Sequence, residues 1–177
     1  MSLDLSCTAS GVVIMTHDST IPHDNRHIVS ESTVGFDLKR DATVAERTMR
    51  LMHIANHIVG VASRYIDKKS LIVIERYAYS RRGAQNDLGE LHGVVRAKLI
   101  ESGFLNIEYK VATSARASVL GKGFGRANKK KIESTLIERG FIFDNNNVMD
   151  AWVIGAAVLG IKTFEEPTTK VIRKKSK

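Results

Sequence analysis

Apolar positions along this chain recur at two different spacings, and the changes of spacing mark out its elements. Residues 3–5 and 11–15 are short apolar runs joined by the polar stretch 6–10, and a third run covers about residues 27–34 after a polar loop. Three short strands in succession predict an antiparallel meander. Thr43, with Glu46 three positions on, forms a capping box that satisfies two free backbone donors at a helix start. From there Val44, Thr48, Leu51, Ala55, Ile58, Ala62 and Tyr65 recur at four- and three-residue steps, one apolar stripe on a long helix. Residues 71–74, Leu-Ile-Val-Ile, form an unbroken apolar run, the mark of a strand buried on both faces. A second helix over about residues 84–102 stops at Gly103. A strand at about 107–111 then leads into a glycine-rich basic loop, and helices at about 129–139 and 147–161 close the pattern.

The predicted order is βββ-α-β-α-β-α-α. A meander followed by strand–helix alternation implies an α/β fold, a mixed five-stranded sheet flanked by helices, in the order of the RNase H-like fold. With 177 residues and no linker-like segment, one domain is expected over residues 1–162, with a basic tail at 163–177 that lacks apolar period. The longest uncharged stretch, residues 151–161, has eleven residues, too few to span a bilayer, so no membrane association is expected. No basic segment precedes an apolar one at the N-terminus, so no signal peptide is expected either. The single cysteine, Cys7, cannot form an internal disulfide, so a reducing cytoplasmic setting is the default expectation.

Charge narrows the partner. The net charge is +8 and the isoelectric point about 9.7, which favours a polyanion. The positive residues cluster in 76–82, 116–131 and 170–177, so the basic surface is local rather than diffuse.

Three acids sit where solubility does not call for them. Asp4 lies between Leu3 and Leu5, Glu75 ends the run Leu-Ile-Val-Ile, and Asp150 opens the uncharged stretch 151–161. A carboxylate in such surroundings must be protonated, paired or bound to a cation. Each alone reads equally as a cap or as the partner of an arginine. If they converge, their repulsion is best relieved by a divalent ion, and Mg²⁺ (or Mn²⁺), one or two per site, suits hard oxygen ligands.

These residues carry a resemblance. The segment Asp4-Leu-Ser-Cys-Thr-Ala-Ser-Gly11 resembles the first motif of the RuvC-type Holliday-junction resolvases, and Ile-Val-Ile-Glu75 resembles their next acidic strand. Leu88-Gly-Glu-Leu-His-Gly-Val94 is similar to their Leu-Gly-x-x-x-Gly-Val helix, Gly123-Phe-Gly-Arg-Ala-Asn-Lys129 to their Gly-x-Gly-x-Ala-x-Lys loop, and Asp150-Ala151 to the pair that begins their last helix. The resemblance implies a structure-selective endonuclease that resolves four-way or other branched DNA by metal-dependent hydrolysis, leaving a 5′-phosphate. Asp4, Glu75 and Asp150 would be the metal-binding catalytic acids. It also implies a homodimer in contact through Gly89 and Gly93, which would bring two sites to one junction, and no small-molecule cofactor.

The departures are specific. Asn147 stands where the family has a fourth ligand, an Asp or His, with Asp144 as the nearby acid. Leu5-Ser6-Cys7 replaces the usual Pro-Gly-Ser, and Ala78 stands at the aromatic wedge position, between Tyr77 and Tyr79. The expected DNA contacts are Arg76, Tyr77, Tyr79, Arg81, Arg82, Arg116, Lys122, Arg126, Lys129 and Lys130. The family's basic residue near Arg116 falls two positions later, at Ser118 in this chain. The glycine-rich loop is not a P-loop, because no Gly-Lys-Ser/Thr ends it. Flaps, forks or hybrids are alternative substrates, and a binding protein without catalysis is the alternative class. His53 and His57 face away from the apolar stripe with no Glu between them, so zinc is not expected. Trp152 is expected in the core, and Cys7 as a small half-buried residue.

Overall fold

Ten elements make up a computed structural model that describes residues 1–15, 27–32, 38, 41–76 and 85–164. They are β1 (Ser2–Asp4), β2 (Gly11–Met15), β3 (His27–Ser32), α1 (Val44–Tyr65), β4 (Ile72–Glu75), α2 (Gln85–Glu101), β5 (Ile107–Lys110), α3 (Ala112–Leu120), α4 (Lys129–Glu138) and α5 (Asn146–Val158). The strands form one sheet in the order β3-β2-β1-β4-β5. The β1/β2 and β2/β3 pairs are antiparallel, as the meander predicts, and β1/β4 and β4/β5 are parallel. The sheet is therefore mixed and five-stranded.

Strand residues alternate between two cores. Leu3, Val12, Ile14, Ile72 and Ile74 point to the side of α1 and α2, where Leu51, Ile54, Ala55, Ile58, Leu91, Val95 and Leu99 meet them. Val13 and Val73 point to the other side, against α3, α4 and α5, where Trp152 is 2% exposed. Burial of Ile72, Val73 and Ile74 on both faces confirms the reading of the unbroken apolar run. No helix among the described residues is long and apolar enough to cross a membrane.

Several local expectations hold in detail. Thr43 and Glu46 form the capping box in both directions. Gly103, at φ +87°, ends α2 with bonds from its own N–H to Ile100 O and from the Phe104 N–H to Leu99 O. His53 and His57 are exposed, and Cys7 is half-buried beside the first core.

Three expectations need correction. The apolar stripe of α1 fails at its ends, because Val44 is 82% and Tyr65 39% exposed and Thr48 is exposed too; Ile54 and Val61 complete the buried face instead. The predicted order also lacks α3. That helix has Val111 at its N-cap with no side-chain cap, and it is only nine residues long, so neither a start signal nor a long period announces it. Gly121, at φ +108°, is the stop signal that was there to be read. Thr163 and Phe164, assigned from sequence to the tail, are tied to the domain: the Thr163 N–H donates to Val119 O at 2.9 Å, and Phe164 lies against Gly121.

Candidate functional site

Asp4 and Glu75 each end a strand, and the register sets them side by side. Leu3 pairs with Ile74 in the parallel β1/β4 ladder, so the next residue of each strand points to the opposite face. That is the face of Ser2 and Val73, and α5 covers it: a Cβ on Gly155 would stand 2.7 Å from Ser2 Oγ. Asp150 comes from the first turns of α5 and is 3% exposed.

The three carboxylates feel one another. Burial first, then the charges of Glu75 and Asp150, push the Asp4 pKa up to about 8, against an opposing pull from Lys129 and Arg116. Glu75 is raised as well, by burial and then by Asp150, with Arg116 and Lys129 again opposing.

Asp150 also meets an arginine, the plainer of the two expectations for it. Arg116 Nη2, from α3, donates to Asp150 Oδ1 at 2.9 Å, and Lys129 Nζ, from the first residue of α4, pairs with Oδ2 at 2.7 Å. Burial works to lower the Lys129 pKa, but its hydrogen bond to Asp150 and the charges of Asp150, Asp4 and Glu75 outweigh that and raise it. The sequence marked Arg116 and Lys129 as basic but gave no sign that both belong to Asp150; the elements that carry them are linked to α5 only by the fold.

Asn147 is committed to the backbone. Its side-chain nitrogen donates to Ala9 O, in the turn between β1 and β2. The Asn145 side chain caps α5, accepting from the N–H groups of Asn147 and Val148 at 3.0 Å each. Gly11 permits this approach, since a Cβ there would stand 2.0 Å from Asn147 O. Asp144 is exposed.

Among the described residues no group of three or more His, Cys, Asp or Glu side chains is placed to hold a metal ion. The chemistry of the donors still fits a hard divalent ion. Carboxylate oxygens are the donors, those of Asp150 buried and those of Asp4 and Glu75 half-buried.

The basic loop is ordered rather than loose. Gly121 accepts from the Phe124 N–H, Phe124 accepts from the Ala127 N–H, and a Cβ on Gly125 would stand 2.9 Å from Thr113 O on α3. Asn128 caps α4 by accepting from the Lys131 N–H at 2.9 Å. Lys122, Arg126 and Lys130 are exposed along this loop and helix start, and so is Arg76 after β4. Tyr77, Tyr79, Arg81 and Arg82 lie outside the described residues. Gly89 and Gly93 share a face of α2, and a Cβ on Gly93 would meet nothing within 4 Å.

The mixed five-stranded sheet with helices on both faces is an RNase H-like α/β fold, and Asp4 and Glu75 end its two adjacent interior strands. No protein-family model and no curated protein matches the chain. Solved structures do. Thermus thermophilus RuvC in complex with a Holliday junction substrate superposes with a TM-score of 0.67 at 15% identity, covering 88% of this chain and 89% of that one. A second Thermus thermophilus RuvC structure gives 0.63 at 16% identity, with 88% and 90% covered. The chain has the RuvC-like fold at a distance in sequence that marks it as divergent.

Proposed function

We propose that this protein is a structure-selective DNA endonuclease that hydrolyses a phosphodiester at a branch point, with the four-way junction as its leading substrate. One observation supports the reading: Asp4 and Glu75 end adjacent parallel strands, and burial together with the Asp150 charge raises the pKa of both. Two half-buried carboxylates without a paired cation, beside the ion-paired Asp150, suit a site that takes a cation. The fold is that of a protein solved on a Holliday junction, which supports the choice of substrate.

Asp4 and Glu75 would hold Mg²⁺ or Mn²⁺, with Asp150 beside them. When bound, the metal supplies Lewis-acid stabilisation of charge on the phosphate and activation of a water nucleophile. The protein's own residues do the rest. Arg116 and Lys129 orient Asp150 and keep positive charge beside the reacting phosphate. The exposed side chains of Arg76, Lys122, Arg126 and Lys130 hold flanking phosphates, and α5, pinned by Asn147 and Gly11, fixes Asp150 relative to Asp4. Attack in line leaves a 5′-phosphate and a 3′-hydroxyl. A homodimer contacting through the α2 face of Gly89 and Gly93 would place two such sites on one junction.

The test is cleavage of a synthetic four-way junction, a flap, a fork and a linear duplex, in parallel, with Mg²⁺ or Mn²⁺. Cutting of the junction at paired positions is expected. Preference for the flap or fork would move the substrate but keep the site, whereas absence of metal-dependent cutting on all four would end the nuclease reading.

A further inference from the structure

We propose that the centre takes a single divalent ion, held between Asp4 and Glu75, and that Arg116 and Lys129 fill the electrostatic place of a second one. This rests on the nuclease reading above and makes its metal site more specific.

Three independent features lead there. The first is the division of labour among the acids. Asp150 has a cation on each oxygen, Arg116 Nη2 at 2.9 Å and Lys129 Nζ at 2.7 Å, delivered by two different helices. Among the described residues neither Asp4 nor Glu75 forms an ion pair, and the parallel register of Leu3 with Ile74 sets the two side by side. The carboxylates without a paired cation are therefore the two on adjacent strand ends.

The second feature is the burial of Arg116, whose side chain is only 15% exposed. A guanidinium does not lose its proton at any ordinary pH, so this charge is permanent. Moving it away would strand Asp150, 3% exposed, with only the half-exposed Lys129. A second divalent ion on Asp150 would have to displace Arg116 or sit against it.

The third is Asn147. At this turn of α5 the chain offers a neutral amide, and its nitrogen already donates to Ala9 O. Asp144 is exposed and brings no charge inward. With all three carboxylates ionised, as a metal displacing the Asp4 proton would leave them, three anions against two cations make one net negative charge. One divalent ion turns that balance to one positive, ready for a phosphate. Two would make it three positive with no ligand added to hold the second.

Metal binding itself is the test, on the full chain, with Mn²⁺ as probe. Stoichiometry is read by calorimetry without DNA, and ion pairing by the electron paramagnetic resonance spectrum. The spectrum is recorded again with a nuclease-resistant four-way junction bound, because only neighbouring ions give a spin-coupled signal. The wild type is expected to bind one ion per chain with no coupled signal in either state. Asp4→Asn is expected to bind none. The double variant Arg116→Gln/Asn147→Asp should take up a second ion and show coupling. Asn147→Asp alone serves if the double variant does not fold, and Arg116→Lys, which keeps the charge, should stay at one ion. A coupled pair in the wild type would overturn the inference and leave the nuclease reading standing. Failure of the wild type to bind Mn²⁺ at all, together with no junction cleavage, would overturn both.

Discussion

The backbone of Gly11 lies against the carbonyl of Asn147, so closely that a Cβ would stand 2.0 Å from that oxygen. Gly11 pairs with Asp4 across the β1/β2 ladder, and Asn147 lies one turn before Asp150 on α5. The contact therefore sets the distance between two of the three acids. Gly11→Ala must push the start of α5 off the sheet. The expected cost is about 1–3 kcal/mol in urea unfolding, the range for overpacking. Cleavage should fall further than stability, because Asp150 moves with the helix. Gly93→Ala is the contrast: nothing lies within 4 Å of its Cβ, and a helix-interior glycine replaced by alanine should gain about 0.5–1 kcal/mol. Equal losses at the two sites would contradict the packing described.

Asp4→Asn should separate activity from stability. The folded state holds the Asp4 proton up to about pH 8, whereas an unfolded chain releases it near 3.8. Between those values the folded state binds more protons, so metal-free stability falls as pH rises. An amide removes that cost. At pH 8 in chelator the variant should be more stable than the wild type by about 2 kcal/mol or more, since each pKa unit corresponds to about 1.4 kcal/mol. It should bind a junction within a few-fold of wild type and cut it at least about a thousand-fold more slowly. Undiminished cutting by this variant would remove Asp4 from the site.

Arg116 and Lys129 share Asp150 but not its surroundings, with side chains 15% and 49% exposed. In chelator at pH 8, Arg116→Met should cost about 3 kcal/mol, because it strips a buried carboxylate of its better shielded partner. Lys129→Met should cost about 1 kcal/mol or less, since water screens a half-exposed pair. Urea midpoints for the two variants, measured side by side, decide this; the reverse ranking would mean that Lys129 is the structural partner.

How much of this was legible in the sequence follows from the range of each signal. Local signals were sufficient for the capping box at Thr43, the stop at Gly103 and the two-sided burial of residues 72–74. The three candidate acids stood out because each lies within or at the end of an apolar element, a pattern that survives without knowing the partners. The helix α3 was not legible, since Val111 provides no cap and small residues such as Ala112, Ala115 and Ala117 give no sharp period. The ion pairs of Arg116 and Lys129 with Asp150 were invisible for a different reason. They span 34 and 21 residues and depend on how α3 and α4 pack beside α5, which no local pattern encodes. Both residues had been marked for phosphate, and both are found on a carboxylate. The amide of Asn147 likewise found its partner, Ala9 O, across most of the chain.

His92 provides a pH dependence of the opposite sign to that of Asp4. It is 4% exposed on α2, stacked on Tyr109 at 6.1 Å, and burial and then the charge of Arg96 lower its pKa from 6.5 to about 4. Between those values the unfolded chain takes up a proton that the folded state refuses. Stability from this residue is complete above about pH 6.5 and is lost as pH falls towards 4. The difference between wild type and His92→Phe isolates it from the acids. That difference should shift by about 2 kcal/mol against the wild type between pH 7 and pH 4. A flat difference would mean that His92 titrates normally.

The basic loop gives the last prediction, because it separates two neighbouring lysines by what they touch. Lys130 and Arg126 are exposed, whereas Lys129 is held by Asp150 at 2.7 Å. A side chain that neutralises a phosphate releases a counterion, so its removal flattens the dependence of log Kd on log salt by about one. Junction binding by Lys130→Ala and by Arg126→Ala, titrated across salt in chelator, should each show that loss. Lys129→Ala should show clearly less, although it stands one residue away and carries the same charge. If its slope changes as much as that of Lys130→Ala, Lys129 has exchanged Asp150 for a phosphate on binding DNA, and the carboxylate it leaves must be neutralised by something else.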